Sequence, residues 1–558
     1  MYLHFARKKA TMRSVAYPAR LLAGLFACAL ILLVPAAAQA ATSAADTPDV
    51  AHVDYPGVQH LKFRYGPVAI KPGQNNIEIA NSAVPKPKVD GWITRLQPNL
   101  RRMDGSVPPV DVIHLHHAVW VNASRQGDAS GGGYGPFFAA GEEKTIFQMP
   151  APYGLRYQAS DAWILSYMIH NLTEQPDKVW ITYDMDFVPD TSPAAKSMKE
   201  VKPIWMDVES GKIYPVFDVH HGSGENGTFT YPDQNPNAYP GGRRRNEWVA
   251  NRDLTLVATA GHLHPGGLHD DLWLTRPGAQ AAPASVRASK CNAARQRARK
   301  AGKAGASNAV KRACAKPAVF GDTAHLFKSS AQYFEPAGAV SWDVSMTGTP
   351  TDWRVAVHKG DILKINSTYD SQRASWYESM GIMVVFAADG LNGHDPFTTK
   401  VDWPGQLTHG HLAENDNHGG DSVGLPDTTK LPDGPAFGAD SAVTIDNFVY
   451  SQGDINSSGA AGLPPVVKAG ETLKFASNDP FPAFHTITAC KEPCNKSSGI
   501  AYPLADGAVE FDSGELGTGG PPTADRTTWS TPNNLPVGNY TYFCRIHPFM
   551  RGSFRVVN

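Results

Sequence analysis

The chain has 558 residues and a formal net charge of −1 at pH 7. This length predicts about three domains, and a charge so close to zero excludes a global field that would attract nucleic acid or an anionic membrane surface. Its 51 Gly and 44 Pro residues, together with many Val, Thr, Tyr and Trp, favour short strands and turns over helices. We therefore expect an all-β protein.

Residues 1–40 have the pattern of an export signal. Basic residues from Arg7 to Arg20 precede an apolar run at Leu21–Val34, and Ala38-Gln-Ala40 is typical of a cleavage site. The apolar run is too short for a comfortable membrane span, and no later stretch approaches 18 apolar residues. We expect an exported protein, periplasmic or extracellular, with no integral membrane segment once the signal is removed.

After a leader at 41–54 that we expect to be disordered, residues 55–275 contain short strand candidates separated by turn residues. Ala162–His170 and Leu254–Thr259 are two examples. Several of these runs alternate between apolar and polar residues, and this period of two predicts sheets with one polar face.

Four patterns in the middle of the chain carry side chains that bind metal ions. Residues i and i+2 of a strand share a face, so the pair His262 and His264 can chelate one ion. Adjacent histidines can do so only if their strand bulges or ends there. Imidazole combined with thioether favours copper, because the soft Met sulfur helps to hold Cu(I), whereas zinc or calcium would favour Cys or carboxylate ligands. Each pattern alone is also typical of a surface pair, a buried structural His or a packing Met. The patterns are His114-Leu-His116-His117, the strand-borne His170, His262-Leu-His264, and Trp376–Met383 with its Met380.

The order of these residues resembles the ligand order of the copper type II, ascorbate-dependent monooxygenases, the family of peptidylglycine α-hydroxylating monooxygenase and dopamine β-monooxygenase. The stretches Gly141–His170 and Val355–Met380 are also similar to the family. The resemblance covers roughly residues 55–390 and implies two jelly-roll-like β-sandwich domains, at 55–200 and 201–390. It implies two copper sites on either side of a solvent-filled cleft: an electron-transfer copper held by His116, His117 and His170, and an oxygen-reactive, catalytic copper held by His262, His264 and Met380.

The same resemblance implies a reaction in which O2 hydroxylates a C–H bond of a small organic substrate. An external one-electron reductant, ascorbate-like or a redox protein, would supply the electrons. Ala260 stands where the peptide-amidating members have an Arg, and Ile382 and Val384 stand where they have an Asn and a Tyr. Those family residues bind the carboxylate of a peptide, so we do not expect a peptide substrate. Ile382, Met383 and Val384 favour an apolar or aromatic one.

Two segments interrupt the strand pattern. Residues 278–318 are rich in Ala, Lys, Arg and Ser, and we expect a basic surface insertion tied by a Cys291–Cys314 disulfide. A docking surface for an acidic partner is the alternative. Residues 391–440 are rich in Gly, Asp and Pro and are predicted to form a linker or covering loop. Its residues His409, His411 and His418 either bind another metal ion or belong to a polar linker.

The last predicted domain, 441–558, carries Cys544-Arg-Ile-His547-Pro-Phe-Met550 and, upstream, His485. One thiolate, two imidazoles and one thioether are the ligand set of a blue-copper electron-transfer site. The apolar strand Tyr540–Cys544 leads into a short loop that lets Cys, His and Met converge. The motif resembles the cupredoxin family, and its short loop is similar to the amicyanin branch. The resemblance implies a Greek-key β-sandwich whose type 1 copper is held by His485, Cys544, His547 and Met550. Cys490 and Cys494 form a second candidate disulfide.

We therefore predict an exported copper monooxygenase with one type 1 copper and two further mononuclear coppers, the cupredoxin supplying electrons. The alternative is a non-catalytic copper-binding or electron-carrier protein with a degenerate monooxygenase-like region. A relative of the nitrite reductases or multicopper oxidases is disfavoured, because those proteins place a His-Cys-His signature at the type 1 site. Here Phe543 and Arg545 flank Cys544.

Overall fold

The structure is a computed structural model, and it describes residues 50–558 except 51, 81–83, 111, 126, 131–135, 142–144, 210–213, 240–243, 278–283, 301–309, 311–322, 335–343, 411–425, 481, 491–508 and 520–524. The predicted export signal, most of the leader, Cys314, His411, His418 and Cys494 lie outside these residues. Both predicted disulfides therefore stay predictions. No helix in the described part of the chain is long and apolar enough to cross a membrane.

The predicted all-β fold class is confirmed, since strands dominate the described residues. The first ten strands are β1 (Gln59–Ile70), β2 (Ile77–Ala80), β3 (Gly91–Arg102), β4 (Ile113–Asn122), β5 (Asp128–Ala129), β6 (Phe138–Gly141), β7 (Phe147–Gln148), β8 (Tyr153–Tyr157), β9 (Trp163–Asn171) and β10 (Asp177–Pro189). The order β2-β9-β4-β6 forms one sheet, which packs on the sheet that contains β1, β10 and β3. Period-two alternation in β10 turns Val179, Ile181 and Tyr183 into the core between them.

The middle of the chain forms a second pair of packed layers. Its elements are β11 (Lys199–Asp207), β12 (Phe217–Val219), β13 (Thr228–Tyr231), β14 (Glu247–Val249), β15 (Leu254–His262), β16 (Gly267–Thr275), α1 (Ala284–Lys300), β17 (Thr323–Tyr333), β18 (Val344–Gly348), β19 (Val355–Val357), β20 (Ile362–Asp370), β21 (Trp376–Ser379), β22 (Ile382–Asp389) and β23 (Gln406–Leu407). The strands β11, β22 and β15 are neighbours in one layer, and β16, β17 and β20 are neighbours in the other. Helix α1 lies within the predicted basic insertion.

The first two strand groups are hydrogen-bonded to each other as well as packed. Strand β11 pairs in parallel with β8, where Lys199 lies opposite Tyr153, and also with β5. These pairings connect 17 of the described strands, from both groups, into one continuous sheet. Ladder hydrogen bonds therefore cross the predicted boundary at residue 200.

The last region forms a smaller sandwich of two four-stranded sheets. Its strands are β24 (Ala442–Asp446), β25 (Val449–Tyr450), β26 (Val466–Lys468), β27 (Lys474–Ser477), β28 (Thr488–Cys490), β29 (Thr528–Ser530), β30 (Gly538–Phe543) and β31 (Arg551–Val557). The sheets have the orders β25-β24-β27-β29 and β26-β31-β30-β28. Tyr542, Phe475 and Phe554 fill the space between them. Short 3-10 turns occur at Pro193–Ser197, Thr428–Lys430 and Gly459–Gly462.

Candidate metal centres

Three predicted ligands of the type 1 site converge in the small C-terminal sandwich. The Sγ atom of Cys544 lies 3.6 Å from Nδ1 of His547 and 3.9 Å from Nδ1 of His485. Two ligands that bind one ion at ~2.3 Å (sulfur) and ~2.0 Å (nitrogen) in a tetrahedral arrangement are about 3.5 Å apart, so the donor spacing fits a bound ion. All three side chains are buried, and Met550 is buried in the same core.

Backbone hydrogen bonds close the loop that carries these ligands. The amide of Cys544 donates to the carbonyl of Met550 at 3.0 Å, and the amide of Met550 donates to the carbonyl of His547 at 2.8 Å. The loop therefore turns back at once after β30 and returns the chain to β31. The backbone N–H of Thr486 donates to the Cys544 sulfur at 3.4 Å, which fixes the position of the sulfur.

Each imidazole of this site is oriented through its outer nitrogen. Nε2 of His485 donates to the Asp479 carboxylate at 2.9 Å, and Nε2 of His547 donates to the Gly73 carbonyl at 2.9 Å. A ring whose only proton is on Nε2 would present its Nδ1 lone pair to an ion bound beside the sulfur. Burial lowers the pKa of His485, but hydrogen bonds to Asp479 and Cys544 outweigh burial and raise it to about 9.

A histidine cluster lies where β4 and β9 meet. His114 is the cross-strand partner of His170, and His116 follows two residues later on the same strand. A register shift between Leu115 and His117 supplies the bulge that adjacent histidine ligands require. The nitrogen atoms that His114, His116 and His170 offer as ligands all lie within 4.8 Å of one another.

The cluster continues into β15 and the turn after it. Nδ1 of His116 lies 3.0 Å from Nδ1 of His117, and Nε2 of His117 lies 3.0 Å from Nε2 of His264. Two imidazoles that bind one ion at ~2.0 Å have a similar nitrogen–nitrogen separation of about 3 Å. The resemblance to the copper monooxygenases implies an open cleft between His117 and His264. In the structure these two side chains are in contact instead. The end of β15 packs directly against β4, so the two predicted triads touch.

His262 and Met380 lie at the edge of this cluster. The ring of His262 is centred 5.3 Å from that of His117 and 5.2 Å from that of His264. The Tyr369 hydroxyl accepts from the amide of Met380 at 2.9 Å and from the amide of His264 at 3.1 Å, which ties both backbones together. The Met380 side chain is buried beside Val216 and Ile382. The assignment of His262, His264 and Met380 to one copper stays a prediction.

The cluster keeps its imidazoles neutral. Burial, reinforced by repulsion between neighbouring rings, lowers the pKa of His116 and His117 well below its usual value. The same two causes lower the pKa of His264, and burial lowers that of His170 to about 4. Neutral imidazoles offer lone pairs at physiological pH, and this is the protonation state that a metal ion requires.

The two centres are joined by a hydrogen bond. Nε2 of His170 donates at 2.7 Å to the carbonyl of Ile546, which is two residues after Cys544. The rings of His170 and His547 are centred 6.5 Å apart. On the same face, the Arg545 guanidinium lies over Trp376 at 4.9 Å and over Tyr377 at 5.2 Å. The ligand loop of the small sandwich therefore forms part of the wall around the cluster.

Two acidic residues, Glu378 and Glu515, line a cavity beside the cluster together with His116, His170 and His264. Burial raises the pKa of Glu378 to about 7 and raises that of Glu515 well above its usual value. The C-terminal sandwich contributes Glu515, so the two parts of the chain build this cavity jointly. Glu378 lies within the Trp376–Met383 pattern, which was noted for Met380 alone, and no sequence pattern pointed to Glu515.

Other histidines named from the sequence lie in different surroundings. His114 is fully buried, and its Nδ1 hydrogen-bonds the Val110 carbonyl at 2.7 Å. His269 forms an ion pair with Asp271, and His409 is buried with hydrogen bonds to the carbonyls of Val344 and Gly410. Asp270 is buried beneath His262 and accepts its backbone N–H at 3.2 Å. A further group combines two exposed histidines, His52 before β1 and His60 on β1, with the buried Asp186 of β10.

Comparison with known proteins yields little. No protein-family model and no curated protein sequence matches the chain. Among solved structures, a copper-containing nitrite reductase from Thermus scotoductus SA-01 matches with 15% identity and a TM-score of 0.14, covering 34% of this chain and 49% of that chain. The match therefore spans about half of the reductase, and a TM-score this low carries no argument.

Proposed function

We propose that this protein is a copper-dependent oxidoreductase in which the C-terminal sandwich exchanges electrons with the histidine cluster. The observation that carries the proposal is the hydrogen bond between His170 and the Ile546 carbonyl. From Cys544 the path to the cluster runs along two peptide units and across this one contact. So short a connection between two sets of metal ligands favours electron exchange within the chain.

The donor sets support copper at both places. A thiolate, two imidazoles and a thioether select copper at the first site, and clustered neutral imidazoles suit copper at the second. Cys544, His485, His547 and Met550 would hold the first ion. His116 would take part in holding the second, with His114 and His170 or with His117 and His264 as its partners. Copper bound at these residues supplies reversible one-electron exchange.

The reaction class that we propose is O2-dependent hydroxylation of a C–H bond. Substrate, O2, two electrons and two protons then give the alcohol and water, and an external one-electron reductant supplies the electrons. The order of His116, His117, His170, His262, His264 and Met380, which resembles that of the copper monooxygenases, supports this class. A cleft that reaches His117 and His262 supports it further. We also propose that the protein is exported, on the strength of residues 1–40.

The alternative function is that of a copper-binding electron carrier without substrate turnover. The 3.0 Å contact between His117 and His264 favours it, because the copper monooxygenases separate the corresponding triads by a cleft. In this alternative the cluster stores copper or electrons and the cleft has no substrate.

Metal analysis combined with O2 uptake separates the two functions. The proposal predicts more than one copper per chain, and O2 consumption with ascorbate that increases when a substrate is added and yields a hydroxylated product. Copper confined to the blue site would contradict the proposal. Full copper loading without substrate-dependent O2 uptake would establish the carrier.

A further inference from the structure

A cleft lies between two of the sheets and ends at the histidine cluster. Its floor consists of cross-strand pairs between β15 and β22. Ala258 lies opposite Phe386, Ala260 opposite Val384, and His262 opposite Ile382. Because alternate residues of a strand share a face, Ala258, Ala260 and His262 form one continuous row. The floor is therefore apolar until it reaches the imidazole of His262.

The facing wall is built in the same way. His117 and Val119 alternate along β4, and Val119 lies opposite Ala139 of β6. This wall also ends at an imidazole, since the rings of His117 and His262 are centred 5.3 Å apart. The row on β15 and the row on β4 are both apolar along the cleft, and both end at an imidazole on the same side. A molecule that fills the cleft lengthwise places one end against the two histidines.

The described part of the lining carries no charged side chain. Among the described residues, the cleft wall contains no Asp, Glu, Lys or Arg. Its polar groups are hydroxyls and amides, including Thr349, Gln406 and Thr408. An ion that enters such a cleft loses its hydration and gains no counter-charge, which costs several kcal/mol.

We propose that this cleft binds an uncharged, largely apolar small molecule that carries no more than a hydroxyl or carbonyl group, and presents it to His117 and His262. The inference rests on the proposed function, because it names the substrate class of that same site. The proposal predicts that a charged peptide, an amino acid and a protonated amine bind poorly in the cleft.

The test compares three probes with one apolar body: 4-tert-butylbenzyl alcohol, 4-tert-butylbenzoate and 4-tert-butylbenzylamine. Calorimetric titration of the metal-free full-length chain at pH 7 measures binding without turnover. We expect the alcohol to bind at least about tenfold more tightly than either ion, because only the ions lose hydration without compensation. Equal binding of all three probes, tighter binding of an ion, or no binding of the alcohol would overturn the inference.

Two variants locate the binding. Ala258→Trp fills the floor of the cleft and should abolish binding of the alcohol, whereas Val249→Trp, at an exposed position of β14, should leave it unchanged. Ala260→Arg places a cation on the floor and should reverse the preference in favour of the benzoate. Binding of the alcohol that survives Ala258→Trp would show that it binds elsewhere and would overturn the proposal. The binding test uses the metal-free chain and so does not depend on turnover. If the metal-free chain binds the alcohol selectively but the copper-loaded protein does not hydroxylate it, only the proposed function is contradicted.

Discussion

The two candidate metal centres differ in how the chain assembles them. At the cysteine site, three of the four predicted ligands lie within the seven residues Cys544–Met550, and two backbone hydrogen bonds close that loop. The histidine cluster draws its side chains from β4, β9 and the end of β15, far apart in sequence. A local centre depends on one turn, whereas a long-range centre depends on the packing of whole sheets. The local sequence therefore predicts how the ligands of the first centre group together, but not how the histidines of the second centre do.

The largest effect is expected at the local centre. Cys544→Ser removes the thiolate, and we predict that the intense blue absorption disappears completely while the non-blue copper remains, because no cluster ligand changes. Optical and spin-resonance spectra of the copper-loaded variant measure both signals. A matched Thr444→Ser variant on β24 should keep the blue band. Retention of the blue band in Cys544→Ser would show that the cysteine site has been assigned wrongly.

The second prediction concerns the cluster. His116 is the residue shared by both groups of three histidines, whereas His262 belongs to neither. We therefore expect His116→Ala to remove the non-blue copper and His262→Ala to weaken it less, with the blue band intact in both. The exposed His220→Ala is the control. The assignment made from the sequence, in which His262 belongs to a copper site separate from that of His116, predicts instead that each variant loses a different copper ion. The copper content per chain distinguishes these outcomes.

The third prediction addresses how the local centre is oriented. Asp479→Asn leaves the His485 ring without a carboxylate partner for Nε2. Removal of such an outer partner typically lowers metal affinity by about 10- to 100-fold. Copper competition with a chelator, monitored at the blue band, measures the change. Asp446→Asn, at the exposed end of β24, serves as the control, and equal affinity in both variants would contradict the orienting role.

The smallest effect is a difference in pH dependence between the two centres of the metal-free chain. Burial lowers the pKa of His170 to about 4. As the pH falls below 6.5, His170 is protonated in the unfolded chain but stays neutral in the folded chain, so the free energy of unfolding decreases. The decrease ends once the pH is below about 4, where the folded chain is protonated as well. At pH 5.5 this costs about 1.4 kcal/mol for His170 alone. The contribution of His485 to the free energy of unfolding depends on pH in the opposite direction, because its pKa is raised to about 9. This contribution is complete below pH 6.5 and is lost as the pH rises to about 9.

Thermal melts of the metal-free chain and of a His170→Gln variant test this difference. The variant lacks the titrating ring, so its Tm should fall less between pH 7 and pH 5.5 than that of the unmodified chain. His221→Gln, at an exposed loop position, should behave like the unmodified chain. Parallel Tm profiles for all three proteins would show that His170 is not held neutral by burial.

The fold could be predicted in part. Turn residues and period-two alternation were sufficient for the all-β class, because both are local properties of the chain. The parallel pairing of β11 with β8 could not be predicted, because no local pattern specifies which strand edges meet. The same limit applies to the cluster. Residues i and i+2 of a strand share a face, and this rule pairs His262 with His264 and also His114 with His116. Only the packing of β15 on β4 brings His117 and His264 together.

The cavity beside the cluster shows that limit most clearly. Glu515 lies in the C-terminal sandwich and Glu378 in the middle region, yet both line one space with His116. The sequence carries no spacing or composition that links two glutamates so far apart. Their raised pKa values arise from burial that exists only after the two regions have packed.

The central claim is that the cysteine site and the histidine cluster exchange electrons through the contact between His170 and Ile546. The most direct test is stopped-flow reoxidation of the fully reduced, copper-loaded chain by O2, monitored at the blue band, in the unmodified protein and in His116→Ala. We predict that the blue band returns rapidly in the unmodified protein and at least about a hundredfold more slowly in the variant, whose blue site is complete but has no copper partner in the cluster. Equal rates would show that the blue copper reacts independently of the cluster and would contradict the account.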